Sequence, residues 1–232
     1  MSADFTPTRA QATESAFWAA IGAAGRYALA GIVTLVLTRL LAPHDFGLIA
    51  IAYAAQALIA HIIPTGFHDA LIQRPRLESA DLNAAFWSVA ALSVGALLLV
   101  LAFAPTISAW FDQPALAWLL VGMALASLPR ALSAAPRALL NRHLDFRRLA
   151  LIRLAGMAVS GLCAITLAAL GAGAWSLIAQ VAALNLVSAI LLWRAARWRP
   201  DPPADLSTAA LSPLWRFAPS VSLFAVVSYI LT

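Results

Sequence analysis

The chain has 232 residues, 62% of them hydrophobic and only 11% charged, and its mean hydropathy of +0.86 lies far outside the range of soluble domains. Lysine is absent, and 15 arginines against 10 acidic residues give a net charge of +5. That charge does not indicate a nucleic-acid partner, because the arginines are parcelled between apolar runs rather than gathered with aromatics on one face. The fold class is all-α, a polytopic membrane helical bundle with the lipid bilayer as its solvent.

A spanning helix needs about 20 mostly apolar residues. Residues 1–16, with Arg9, read as a cytoplasmic N-terminal segment. Six spans are expected near 17–41, 46–63, 84–104, 115–138, 149–170 and 175–193, together a six-helix lobe over 17–193. Residues 194–213, with Pro200, Pro202 and Pro203, read as a cytoplasmic linker, and 214–232 as the start of a truncated second lobe. Ala28-Leu29-Ala30 has the form of a signal cleavage site, but the apolar run continues well beyond it, so the first run is a true span.

Orientation follows from the gaps. Arg74 and Arg76 follow the second run, Arg137 to Arg153 follow the fourth, and Arg194, Arg197, Arg199 and Arg216 follow the sixth. The gaps around 43–45, 105–114 and 171–174 contain no arginine. Positive charge stays on the cytoplasmic side, which places the N-terminus in the cytoplasm. Trp18, Trp110, Trp175, Trp193, Trp198 and Trp215 fall near run ends, as interfacial belts would place them. Pro129 and Pro219 are expected to kink their helices. Gly156 and Ser160 form a small-xxx-small pair suited to close helix approach.

Ionisable residues within a bilayer are costly and are default functional candidates. Arg26 and Arg130 lie inside the first and fourth runs, where each either faces a cavity or snorkels to the headgroups. Arg39, near the arginine-poor end of the first run, is expected to pair with Asp45 as a structural ion pair or outer gate. Gln56, His61, Gln180 and Asn185 either line a hydrated cavity or bond across helices. His61, His68 and Asp69 lack a metal-ligand spacing, and the single Cys163 excludes an intrachain disulfide. The stretch 141–153 (NRHLDFRRLALIR) reads as a topology anchor that could also attract a lipid pyrophosphate. No Gly-rich phosphate loop, G-x-S-x-G elbow or H-E-x-x-H is present, so no enzyme, metal or cofactor is expected.

Several segments, in order and spacing, resemble the N-terminal half of a polysaccharide-type flippase of the multidrug/oligosaccharidyl-lipid/polysaccharide exporter superfamily. They are 38–47 (TRLLAPHDFG), 66–74 (GFHDALIQR), 83–87 (NAAFW), 136–147 (PRALLNRHLDFR) and 171–176 (GAGAWS). The resemblance implies translocation of an undecaprenyl-pyrophosphate-linked oligosaccharide across the bacterial inner membrane, for surface polysaccharide and lipopolysaccharide biosynthesis. It implies two lobes rocking about a cationic cavity, so the chain reads as a fragment partnered by a missing C-terminal half or a second copy. On that reading Arg26, Arg130, Gln56 and Asn185 would contact the substrate. The alternatives are an accessory membrane subunit without transport activity and an exporter of another amphipathic lipid or drug.

Overall fold

The computed structural model describes residues 9–62, 79–142 and 146–201. These form seven helices: α1 (Arg9–Leu40), α2 (Pro43–Ile62), α3 (Ser79–Trp110), α4 (Pro114–Leu132), α5 (Ala134–Arg142), α6 (Phe146–Ala169) and α7 (Ala174–Ala196). No strand occurs among the described residues. Four stretches, Ala85–Trp110, Pro114–Leu132, Arg147–Ala169 and Ala174–Ala196, are long and apolar enough to cross a membrane. Leu98, Leu99 and Phe103 on α3, Leu162 on α6 and Leu186 on α7 point outward. In water so much apolar surface would drive association; in hydrocarbon it is the solvated face.

The helices pack α1 on α6, α6 on α7, α7 on α4 and α4 on α3, with α2 against α4 and α7. Of the four apolar spans α7 is the most enclosed, 39% buried against 17% for α3, which makes it the hub. The core is lopsided. Leu37, Leu48, Ala52, Leu116, Leu119, Met123, Ala168 and Leu177 form one cluster beside the short turns. Among the described residues, the arginine-rich ends hold a smaller second cluster of Leu82, Ala85, Ala135 and Ala138, with Leu139 and Trp198 against it.

Close approach holds α6 to α7. A Cβ at Gly156 would lie 2.7 Å from Ser188 Oγ and 3.2 Å from Leu184 Cδ1, so nothing larger than hydrogen fits without a shift. Polar bonding holds the turns. Asp45 Oδ2 accepts the Ala42 N–H at 3.2 Å, and Oδ1 accepts the Ala174 N–H at the start of α7, also at 3.2 Å. One carboxylate therefore caps its own turn and the N-terminus of a helix far along the chain, where anions are favoured by the exposed N–H groups. Gly173 makes room for it: its φ is +54°, and a Cβ there would sit 3.0 Å from Asp45 Oδ1.

Several expected boundaries shift. Helix α1 already begins at Arg9, within the stretch read as an N-terminal segment. Helix α3 runs through Pro105 to Trp110 instead of ending at Ala104. The missing proline N–H leaves the Leu101 carbonyl without its helical donor, a loss that membrane helices tolerate. The outer turn shrinks to 111–113, with Asp112 at φ +51°. The fourth run divides at fully buried Ser133, whose N–H reaches the Pro129 and Arg130 carbonyls and whose hydroxyl donates to the latter at 2.9 Å. Helix α7 continues to Ala196, into the expected linker. Residues 202–232, including Pro219, and His68, Asp69, Arg74 and Arg76 lie outside the described residues.

Replacing Gly156 with leucine should lower the stability of the bundle by about 1–3 kcal/mol, as overpacking does. Equilibrium unfolding in mixed micelles measures this, and an unchanged midpoint would mean that α6 and α7 are not in this register. Asp45→Ala strips two N–H groups of their acceptor and should cost about 1–2 kcal/mol. Asp45→Asn, which keeps one acceptor oxygen, should fall between it and the parent in the same assay.

Candidate functional site

Helix α4 is clasped from two sides at neighbouring residues. Gln56 Nε2 of α2 donates to Ser127 Oγ, which itself donates to the Met123 carbonyl at 2.8 Å. Asn185 Nδ2 of α7 donates to the Ala126 carbonyl at 2.8 Å. Proline at position 129 leaves the carbonyl one turn before it without its usual helical donor, so this is where α4 most needs support from neighbouring helices. Gln56 and Asn185, both half-buried, thus converge on one stretch of α4. Each uses amide hydrogen to join helices, the second of the two roles open to them in sequence.

One turn further on, α4 presents Arg130, which is exposed. Arg26 on α1 is half-buried, with its guanidinium carbon 4.8 Å from the centre of the Tyr27 ring, within cation–π range. Arg153 on α6 feels the charge of Arg26 and, less strongly, that of Arg130. Arg137 on α5 lies in the same field: burial lowers its guanidinium pKa, and the charges of Arg130 and Arg153 add to the effect. Four guanidinium groups from α1, α4, α5 and α6 therefore share one electrostatic neighbourhood. Arginine does not deprotonate in proteins, so their mutual repulsion persists at every physiological pH. An anion with several charges relieves it.

Arg26 and Arg130, the two arginines singled out in sequence, each act on Arg153, and Arg130 and Arg153 act on Arg137. Arg137 had been read only as a topology anchor. Arg39 lies on an exposed part of α1 near its end, and Asp45 makes its bonds to Ala42 and Ala174 rather than the expected ion pair. The physical reason is that two N–H groups at helix starts lie within reach of the short carboxylate. The carboxylates whose side chains are described lie elsewhere: Asp45 and Asp112 in the short turns, Asp201 against Asn83 at 2.7 Å. Among the described residues no three His, Cys, Asp or Glu side chains are grouped to hold a metal. Cys163 is a half-buried free thiol.

Two curated proteins and one family model match the chain. The chain is 29% identical over 189 residues to the succinoglycan biosynthesis transport protein ExoT of Rhizobium meliloti (strain 1021), covering 81% of this chain and 38% of that protein. It is 23% identical over 224 residues to the lipopolysaccharide biosynthesis protein WzxC of Escherichia coli (strain K12), covering 97% of this chain and 46% of that one. The chain therefore spans less than half the length of these curated relatives. No solved structure matches it. The family model described as polysaccharide biosynthesis protein matches residues 36–232, far more than half of the sequence, and the chain belongs to that family.

Proposed function

We propose that this multi-pass membrane protein is one lobe of a flippase for lipid-linked oligosaccharide. Its substrate would be an undecaprenyl-pyrophosphate-linked glycan, moved across the bacterial inner membrane for surface polysaccharide or lipopolysaccharide assembly. The observation that carries the reading is the chain of charge interactions that links Arg26 and Arg130 to Arg153, and Arg130 and Arg153 to Arg137, across four helices. The relatives named for succinoglycan transport and lipopolysaccharide biosynthesis support the substrate class. In this reading α1, α2, α3, α4, α6 and α7 are the six spans, the arginine-rich ends face the cytoplasm, and a second lobe supplies the opposite cavity wall.

The chemistry required is binding and release. A diphosphate carries charge on several oxygens, which guanidinium forks engage in pairs. Two opposite charges about 4 Å apart attract by about 4 kcal/mol at an effective dielectric of 20, enough to draw a headgroup out of the interface. Release needs that attraction to be variable. Because the arginines sit on different helices, a small relative shift changes how many of them face the anion at once. Gln56 and Asn185 act here as positioning residues that fix the stretch of α4 preceding Arg130.

Arg26→Gln and Arg130→Gln should each lower polysaccharide export by about tenfold, the worth of one hydrogen bond to a charged group. The measurement is export in a strain lacking its own flippase, with membrane abundance matched. An unchanged rate in the double variant would leave these arginines as headgroup anchors and favour an accessory subunit. Gln56→Leu and Asn185→Leu should instead cost roughly 0.5–1.5 kcal/mol of stability each, read from unfolding in mixed micelles. Unaltered stability with lost substrate binding would place both amides in the substrate's path.

A further inference from the structure

The described part of the linker does not leave the lobe. Arg197, at the end of α7, is left-handed at φ 50° and ψ 20°, an uncommon conformation for a residue with a Cβ. It turns the chain back so that Trp198 stacks on Trp193, with ring centroids 5.7 Å apart, while Phe86 of α3 meets both rings edge-on. Beyond it Asp201 is held reciprocally. Asn83 Nδ2 donates to Asp201 Oδ2 at 2.7 Å, the Asp201 N–H donates to Asn83 Oδ1 at 3.0 Å, and Trp87 Nε1 donates to the Asp201 carbonyl at 3.0 Å. Beside this clasp lies a cavity of about 460 Å³, lined in part by Arg197 and Trp198, the residues that lead into the clasp. Arg148 and Arg197 supply its charge, Trp198 its rim, and Leu82, Leu139 and Leu140 its apolar side.

The cavity lies where the apolar run of α7 gives way to Arg194, Arg197 and Arg199, the depth of the lipid headgroups. Two fixed cations beside an aliphatic wall match a molecule with a phosphate at one end and hydrocarbon at the other. A soluble anion would have no use for the three leucines, and a neutral lipid none for the two arginines. From this geometry we propose that the pocket between α3, α5 and the start of the linker binds the headgroup of an anionic phospholipid, and that the Asn83–Asp201 clasp positions Arg197 and Trp198 for it. The bound lipid would in turn hold the linker against the lobe, since a ligand stabilises the conformation that binds it. The site is distinct from the cluster around Arg26 and stands whether or not that cluster carries a flippase substrate.

The test is native mass spectrometry of the full chain after detergent delipidation, titrated with phosphatidylglycerol, with phosphatidylcholine or with inorganic pyrophosphate. Phosphatidylglycerol should bind with a preference that the Arg148→Gln/Arg197→Gln variant weakens by roughly thirtyfold, about fivefold for each arginine. Arg39→Gln, a charge removed near the opposite end, should leave it unchanged. Asn83→Ala should weaken binding severalfold with both arginines intact, and the exchange Asn83→Asp/Asp201→Asn should restore it by rebuilding the pair with roles reversed. Equal retention of phosphatidylcholine, or an equal loss in Arg39→Gln, would overturn the site. Pyrophosphate binding that the Arg148→Gln/Arg197→Gln variant weakens as much as it weakens that of phosphatidylglycerol would overturn the lipid as its occupant. Failure of the exchange to restore binding would overturn the clasp as its positioning device.

Discussion

Helices surrounded by hydrocarbon gain little from pressing one apolar face on another, because the lipid tails are equally apolar. What joins them is close backbone approach or hydrogen bonding, and several contacts in this lobe use one of the two. Helices α6 and α7 meet at Gly156. Helices α2 and α7 reach α4 through Gln56 and Asn185. The α1–α2 turn is tied to the start of α7 through Asp45. These few polar atoms matter more than their number suggests, since an unpaired one in lipid is costly.

The distribution of these contacts gives the lobe a firm end and a soft end. The short turns hold the main core and the shared Asp45 cap. The opposite end carries repelling arginines and a much smaller apolar cluster. Regions with fewer apolar contacts open at lower free energy, so motion should be concentrated where these arginines are. A substrate cavity needs this arrangement: a rigid base from which helices can change their separation at the charged end without the bundle coming apart.

The spans and the arginine alternation were legible because a bilayer imposes a length and a charge rule on sequence directly. The polar residues within runs were legible as exceptions, but their roles were not. Asp45 lies six positions from Arg39, which suggested an ion pair, whereas its second partner is Ala174, a contact that no local pattern announces. Pro105 looked like a helix end because proline ends soluble helices; in lipid the alternative to a helix is worse, and α3 continues. The break at Ser133 lies between Pro129, which reads in sequence as a kink within one helix, and Pro136, whose missing N–H leaves the Leu132 carbonyl without its helical donor. The return of residues 198–201 onto α3 depends on Asn83, Phe86 and Trp87 meeting residues more than a hundred positions away. Arg26 and Arg130 were visible one by one; their shared field with Arg137 and Arg153 exists only once α1, α4, α5 and α6 are packed.

The unequal lengths of two neighbouring helices have a mechanical consequence. The apolar span of α3 has 26 residues and that of α4 has 19, or about 39 Å against about 28 Å at 1.5 Å per residue. The shorter one fits a hydrocarbon layer of about 30 Å nearly upright, while the longer one must lean by roughly 40° or bend at Pro105 to bury the same stretch. A thicker bilayer lets α3 stand up and a thinner one lays it down. Asn83, Phe86 and Trp87 ride at its lower end, so the inclination of α3 is a lever whose tip grips the linker. Membrane thickness thereby becomes a mechanical input to the position of residues 198–201.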